Sequence, residues 1–443
     1  MSPGEIAAQA VELIKKLAPG AEGRVSVDLG RTSHTRFAAN EITTAGDVEL
    51  AEVSVTVARG KRHATAAHKR LESQALAALV KRAAEMAQVA PEDPEWMGVL
   101  GPGPLRAAGT TFDASTLELA SASRAVAAKK AIAAAESQGA IAAGFYLAYG
   151  TTHALATTAG LTATHPSTVA RLTMTARSAD GSGSGWAGTE SVAARDIDAQ
   201  AVATTAVDKA VRSQKPGRAD PKPWKVVLDP ACVVDLLRFF FEALDARSAD
   251  EGRSFFAKRG GGSRIGEKMF ASALTLKGDP FDPATPASPF DQEGLAVEPV
   301  TYIEDGTLKS LITSRYWAQK TGRRPSPHPT AVHLVGGDAN GIDDLVGRVD
   351  RGLYITRFWY TRWLDPQTMT ITGLTRDGVF LIERGALKGP VNNFRFNESP
   401  AAVLARAKAW TKETVRMPSW GPVARVPAIL TEDFHMASIS AAV

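Results

Sequence analysis

The chain has 443 residues, of which 44% are hydrophobic and 22% charged, and its net charge is +4. That length suits two or three globular domains, and 51 basic against 47 acidic residues is too even a balance for a dominant nucleic-acid surface. A single cysteine, Cys232, excludes an internal disulfide and a zinc ribbon, and the chain lacks an unbroken apolar run long enough to span a bilayer, so the expectation is a cytoplasmic protein with no membrane segment.

The opening segment, MSPGEIAAQAVELIKKLAPG, carries Glu5 early and Lys15 and Lys16 late around an apolar period. It predicts a helix over residues 4–17, closed by Pro19-Gly20, rather than a signal peptide. GRVSVDLGRTSHTRFAAN and VELAEVSVTVARGKRHATA alternate as strands, with a turn near Arg59-Gly60. LESQALAALVKRAAEMAQVA reads as a helix with Leu71, Leu76, Leu79, Ala83 and Met86 near one face. PEDPEWMGVLGPGPLR is the first connector. An alanine-rich helix is expected over residues 115–138, closed by Gly139. GFYLAYG, HALATTAG and TVARLTMTARSADGSGSGWAG follow as short antiparallel strands, then a helix over residues 197–213.

KPGRADPKPW, residues 215–224, is the clearest boundary. KVVLDP is a short strand, and Asp229-Pro230 starts a helix whose Val233, Leu236, Leu237, Phe240 and Leu244 form a core stripe. Strands dominate thereafter, turning at Asp305-Gly306, Asp377-Gly378 and Arg384-Gly385. RGLYITRFWYTRWLD places large residues on both faces, as in a strand buried on both sides by core or by a partner subunit. Its Tyr354, Arg357 and Trp359 are the interface or substrate-groove candidates. A helix over residues 400–415 precedes a last strand, VPAILTEDFHMASIS. Hairpins interleaved with helices, without strict βαβ alternation, predict an α+β fold. It divides into an N-terminal domain (1–90), a middle region (110–214) and a strand-rich C-terminal domain with a core helix (222–443).

The residues themselves show little chemistry. The eight histidines have no i, i+4 helical pair with an intervening glutamate. AKRGGGSRIGEK lacks the phosphate-loop spacing, and neither a nucleophile elbow nor a Ser-His-Asp set is visible. Glu242, directly after three phenylalanines, reads by itself as a solvated helix flank.

Resemblance adds what spacing does not. EGRSFF, RIGEKMFASALTLKGDP, PFDQEGLAVEPVTYIEDGTLKSLI, GLYITRFWYTRWLDP and above all TGLTRDGVFLIERGALKGPVNNFRFNES resemble the TldD/PmbA family of bacterial zinc peptidases, once labelled modulators of DNA gyrase. TRFAANEIT and the helix ending in APEDP fit it too, so nearly the whole chain is covered. Catalytic members carry HExxxH on this helix, two zinc ligands and a general base, with a further cysteine near the C-terminus. The matching positions here are Phe241, Glu242, Ala243, Leu244, Asp245 and Ala246: the glutamate is kept, Phe241 and Ala246 replace the ligands, and no histidine lies between Pro166 and Pro327. The segment RMPSWGPVARVPAILTEDFHMASIS has no cysteine. The resemblance therefore implies a non-catalytic subunit of the PmbA or TldE type, without a cofactor of its own. It would form a homo- or hetero-oligomer with a zinc-bearing TldD-like chain, enclosing unstructured or leader peptides. Two other readings stay open: a peptidase with relocated ligands such as His328, His333 and Glu304, and a module that binds nucleic acid or gyrase.

Overall fold

The computed structural model describes residues 1–419 and 421–441. Ser2 opens α1 (Pro3–Leu17) with a reciprocal cap, its hydroxyl accepting from the Glu5 N–H while the Glu5 carboxylate accepts from the Ser2 N–H. β1 (Glu22–Ala38), β2 (Glu41–Arg59) and β3 (Arg62–His68) form a meander, turning at Ala39-Asn40 and at Gly60, all with positive φ. After α2 (Ser73–Val89) and a long connector come α3 (Ala114–Leu117), α4 (Ser121–Glu136), β4 (Ala140–Thr157), β5 (Thr162–Ser178), β6 (Ser184–Ser191) and α5 (Ala199–Arg212). The six strands make one antiparallel sheet in the order β3-β2-β1-β4-β5-β6. Segments on both sides of the first connector thus share a sheet. α1 and α2 bury one end of it over Val25, Val27, Val53 and Val55, and α4 and α5 bury the other over Phe37, Tyr146, Leu172 and Met174.

Two expectations are corrected here. The alanine-rich helix is broken: Asp113 caps a single turn, α3, by accepting from the Thr116 N–H, and the fully buried Arg124 donates back to the Leu119 carbonyl at the break while pairing with Asp47 at 2.9 Å. GFYLAYG and the first five residues of HALATTAG lie on one continuous strand, β4, and the turn follows Thr157. Gly150 lies mid-strand, where a Cβ would sit 2.7 Å from the Leu117 side chain of α3, and a Cβ on the adjacent β1 residue Gly30 would sit 2.0 Å from the Gly150 carbonyl oxygen.

The C-terminal half begins with β7 (Pro223–Leu228), α6 (Pro230–Ala243) and α7 (Ala246–Asp250). β8 (Thr275–Gly278), β9 (Val300–Glu304), β10 (Thr307–Leu308), α8 (Arg315–Thr321), β11 (Ala331–Val335) and α9 (Ile342–Gly347) follow. Next are β12 (Arg351–Ile355), β13 (Phe358–Asp365), β14 (Thr370–Thr375), β15 (Val379–Glu383), β16 (Ala386–Pro390) and β17 (Asn393–Glu398). The chain closes with α10 (Pro400–Ala405), β18 (Ala407–Trp410), β19 (Val415–Met417), β20 (Val423–Val426) and β21 (Ile429–Ser440). One sheet runs β10-β9-β8-β11-β20-β19, the other β13-β14-β17-β21-β7-β12-β15-β16 with β18 beside β21. These antiparallel and mixed sheets with separate helices make the fold α+β.

α6 packs against both sheets, touching β7 and β13 of one and β19 and β20 of the other. Its apolar stripe, including Val233, Leu236, Leu237 and Phe240, is the centre of the largest core. Asp229 caps it by accepting from the Ala231 N–H, and its carboxylate also receives the Tyr354 hydroxyl at 2.8 Å and Lys209 at 3.2 Å. The helix expected over residues 400–415 ends at Ala405, because Ala407, Ala409 and Trp410 pair with β21. The turn at Asp377-Gly378 has the expected positive φ but sends β14 and β15 to different neighbours.

Candidate functional site: a cleft on the central helix

The N-terminal sheet and the C-terminal half enclose a cleft of about 550 Å³. Its sheet wall comprises Phe145 and Leu147 of β4, Arg171 and Thr173 of β5 and Trp186 of β6. The opposite wall is one face of α6, where Ala231, Val234, Asp235 and Arg238 recur at helical spacing with Phe239 beside them. Arg357, Phe358, Trp359, Tyr360 and Thr361 line the rim.

The arginines in this cleft are tied to carboxylates. Arg171 donates from Nε to the buried Glu190 at 2.9 Å, and Arg416 of β19 donates to the other carboxylate oxygen at 3.2 Å, which clips the two halves of the molecule together. Arg357 pairs with the buried Asp377 at 2.8 Å, and Ser184 of β6 also donates to Asp377. The Arg357 guanidinium lies 4.4 Å from the Trp186 ring centroid and 5.1 Å from that of Trp359. Arg238 pairs with Glu242 at 3.2 Å. Asp235 differs: among the described residues its carboxylate has no hydrogen bond or ion pair. Burial pushes its pKa up to about 6, against the pull of Arg357 and Arg238.

The residues singled out from sequence separate. Arg357 and Trp359 line the cleft. Tyr354 does not, because it is buried beneath the sheet, stacked on Phe380 and bonded to Asp229. RGLYITRFWYTRWLD is buried through β12 but not through β13, where Trp359 is 41% and Tyr360 65% exposed. β13 is an edge strand, and Tyr360 at φ 57° interrupts its pairing with β14.

The six positions matched to HExxxH do not share one helix. α6 stops at Ala243, Asp245 caps α7, and Ala246 is buried with its N–H on the Ile312 carbonyl. Phe241 is buried edge-on against Tyr302. Glu242 lies outside the cleft at the surface, held by Arg238 and by the Trp363 indole N–H at 2.8 Å. The turn that faces the cleft is one turn earlier and presents Asp235, Arg238 and Phe239. Sequence reasoning missed Asp235, Arg238, Trp186 and Arg171. The available signal was Asp235 itself, a lone acid between Val234 and Leu236 in an otherwise apolar stretch.

A catalytic zinc takes three protein ligands and a water. The cleft face of α6 offers one carboxylate flanked by guanidiniums, which does not fit such an ion. Among the described residues no three His, Cys, Asp or Glu side chains converge on a metal-sized site. His333 spends both ring nitrogens on Asp282 and Thr414, His328 is exposed, and Glu304 pairs with Lys309, so these three do not assemble. Cys232 is fully buried, its thiol on the Ile355 carbonyl and its pKa raised by burial. No helix among the described residues is long and apolar enough to cross a membrane.

Three models of the PmbA/TldA metallopeptidase match in order: domain 1 over residues 25–87, the central domain over 114–214 and the C-terminal domain over 221–438. A metalloprotease of Archaeoglobus fulgidus is 33% identical over 138 residues, 30% of this chain and 28% of that one. Metalloprotease PmbA of Escherichia coli O157:H7 is 25% identical over 133 residues, 29% of this chain and 28% of that one. The aligned segments thus span less than a third of these relatives. In structure, TldE from Thermococcus kodakarensis superimposes with a TM-score of 0.85 at 19% identity, covering 98% of this chain and 99% of that one. A candidate modulator of DNA gyrase from Thermotoga maritima MSB8 gives 0.84 at 18% identity with the same coverage. Identity that low establishes a shared fold, and the three ordered domain matches establish the lineage: the chain belongs to the PmbA/TldD metallopeptidase family.

Proposed function

We propose that this chain is the metal-free, substrate-handling subunit of a two-chain metallopeptidase acting on unstructured or leader peptides in the cytoplasm. A TldD-like partner with an intact HExxxH would supply the zinc. The observation that carries the reading is at the positions matched to HExxxH, where Phe241 and Ala246 stand in place of the two ligands and are both buried in the apolar core. Without ligand side chains at 241 and 246 to hold an ion that would lower the pKa of a water, a glutamate at position 242 has nothing to activate, and here it is engaged by Arg238 and Trp363 at the surface. The exposed aromatic edge of β13 supports assembly, since Trp359, Tyr360 and Leu364 are uncovered in the single chain.

The test is metal content by mass spectrometry and peptide cleavage, on the chain alone and mixed with an HExxxH-bearing homologue from the same genome. The expected result is no stoichiometric zinc and no cleavage alone, with cleavage on mixing. Glu242→Ala should leave that activity within about twofold, whereas loss of a general base costs roughly 10²–10⁴-fold. One zinc per isolated chain with chelator-sensitive cleavage would overturn the reading in favour of relocated ligands.

A further inference from the structure

We propose that Asp235 is the anchor of a binding subsite in the cleft for an ammonium group, either the free α-amine of a peptide or a lysine side chain. A carboxylate withdrawn from bulk water and left without donors is costly, and folded proteins rarely leave one so. Asp235 lines the cleft, is only partly exposed, and has no donor among the described residues. The cations around it are otherwise engaged: Arg171 with Glu190, Arg238 with Glu242, Arg357 with Asp377. An incoming anion would meet guanidiniums that are already neutralised. An incoming ammonium would meet Asp235, a carboxylate without a partner among the described residues.

The surroundings suit an ammonium better than a metal ion. A divalent cation needs several oxygen or nitrogen ligands, and Asp235 stands as a single carboxylate. An ammonium needs one strong acceptor and tolerates apolar neighbours, and Val234, Phe239 and Phe145 line the same cleft. Burial raises the Asp235 pKa, but with Arg357 and Arg238 nearby it stays at about 6, so the carboxylate is mostly ionised at neutral pH. That the ligand is a polypeptide rests on the function proposed above; the preference for an ammonium rests on the cleft alone.

The test uses the full chain without a partner and three ten-residue Gly/Ser/Ala peptides, each carrying a fluorophore at the C-terminus. One has a free α-amine, one is N-acetylated, and one is N-acetylated with a single central lysine. Fluorescence anisotropy at neutral pH and low salt should show the free-amine peptide, the lysine peptide or both binding at least tenfold more tightly than the acetylated lysine-free one. Which of the two binds identifies the source of the ammonium. Asp235→Asn should erase the difference and Asp235→Glu should keep part of it, with melting curves confirming that both variants fold. Equal binding of all three peptides, a preference that survives Asp235→Asn, or no binding up to millimolar peptide overturns the proposal. None of these outcomes changes metal content or cleavage on mixing, so this proposal and the subunit assignment fail separately.

Discussion

Glu190, beside Arg171 on the sheet wall of the cleft, and Asp235, on its helix wall, are both carboxylates withdrawn from bulk water. Glu190 receives Arg171 on one oxygen and Arg416 on the other, from strands in the N-terminal and C-terminal sheets. Asp235 receives nothing from the described residues, although Arg357 and Arg238 stand near it. The first arrangement is a fastener: its charges are mutually satisfied and removing one strands the others. The second keeps an ionisable group in an environment that disfavours its charge, an arrangement that stability alone would not retain. Charge burial in this molecule therefore separates what holds the two halves together from what is free to meet a ligand.

The largest effect should come from breaking the fastener. Glu190→Ala leaves two mostly buried guanidiniums unpaired, and removing one partner of a buried ion pair costs roughly 3–5 kcal/mol. Urea unfolding of this variant should show a loss of at least about 2 kcal/mol. A change below about 1 kcal/mol would mean that water already solvates Arg171 and Arg416.

Asp235→Asn should act in the opposite direction. The folded pKa is about 6, above the usual aspartate value near 3.8, so the native state binds the proton more tightly than the unfolded chain. Stability linked to this group is fully present below about pH 4 and lost as pH rises through 6. The asparagine variant should accordingly be more stable than wild type at pH 8, by about 1–3 kcal/mol, and the gap should close on acidification towards pH 4. A destabilised variant at pH 8 would mean that Asp235 has a partner in solution, and the contrast with Glu190 would collapse.

Trp359→Ala should have the smallest effect on the isolated chain. The ring is 41% exposed, so truncation mainly removes its stacking with Arg357 and Arg376, worth about 1 kcal/mol. Analytical ultracentrifugation with the partner should nevertheless show weaker assembly. Unchanged assembly would mean that β13 is not the contact.

How far these features were legible in the sequence depended on whether their causes were local. The Asp-Gly and Arg-Gly turns and the Asp229-Pro230 start of α6 are written in adjacent residues, and the structure has them where the sequence puts them, whereas the Ser2–Glu5 cap that starts α1 at Pro3 was equally local but not read. The break between α3 and α4 was not legible, because it depends on Arg124 reaching Asp47 on a strand distant in sequence. Gly150 signals a turn when read alone and becomes a mid-strand glycine only where Leu117 and Thr168 pack over it. The cleft was the least legible, since Trp186, Arg171, Asp235 and Arg357 come from separate elements. Resemblance pointed to α6 and to Glu242, which the tertiary structure places outside the cleft, one turn beyond Arg238.

The length of the N-terminal strands has a consequence for synthesis. β1 pairs with β2 at once through a tight turn, but its other edge waits for β4, so that Arg24 meets Thr157 only after more than a hundred further residues have been made. At translation rates of about 5–20 residues per second, a strand of 17 residues stands open-edged for roughly ten seconds as it leaves the ribosome. Its central stretch, Arg31-Thr32-Ser33-His34-Thr35-Arg36, is polar throughout, which makes the waiting edge a poor template for aggregation with neighbouring chains.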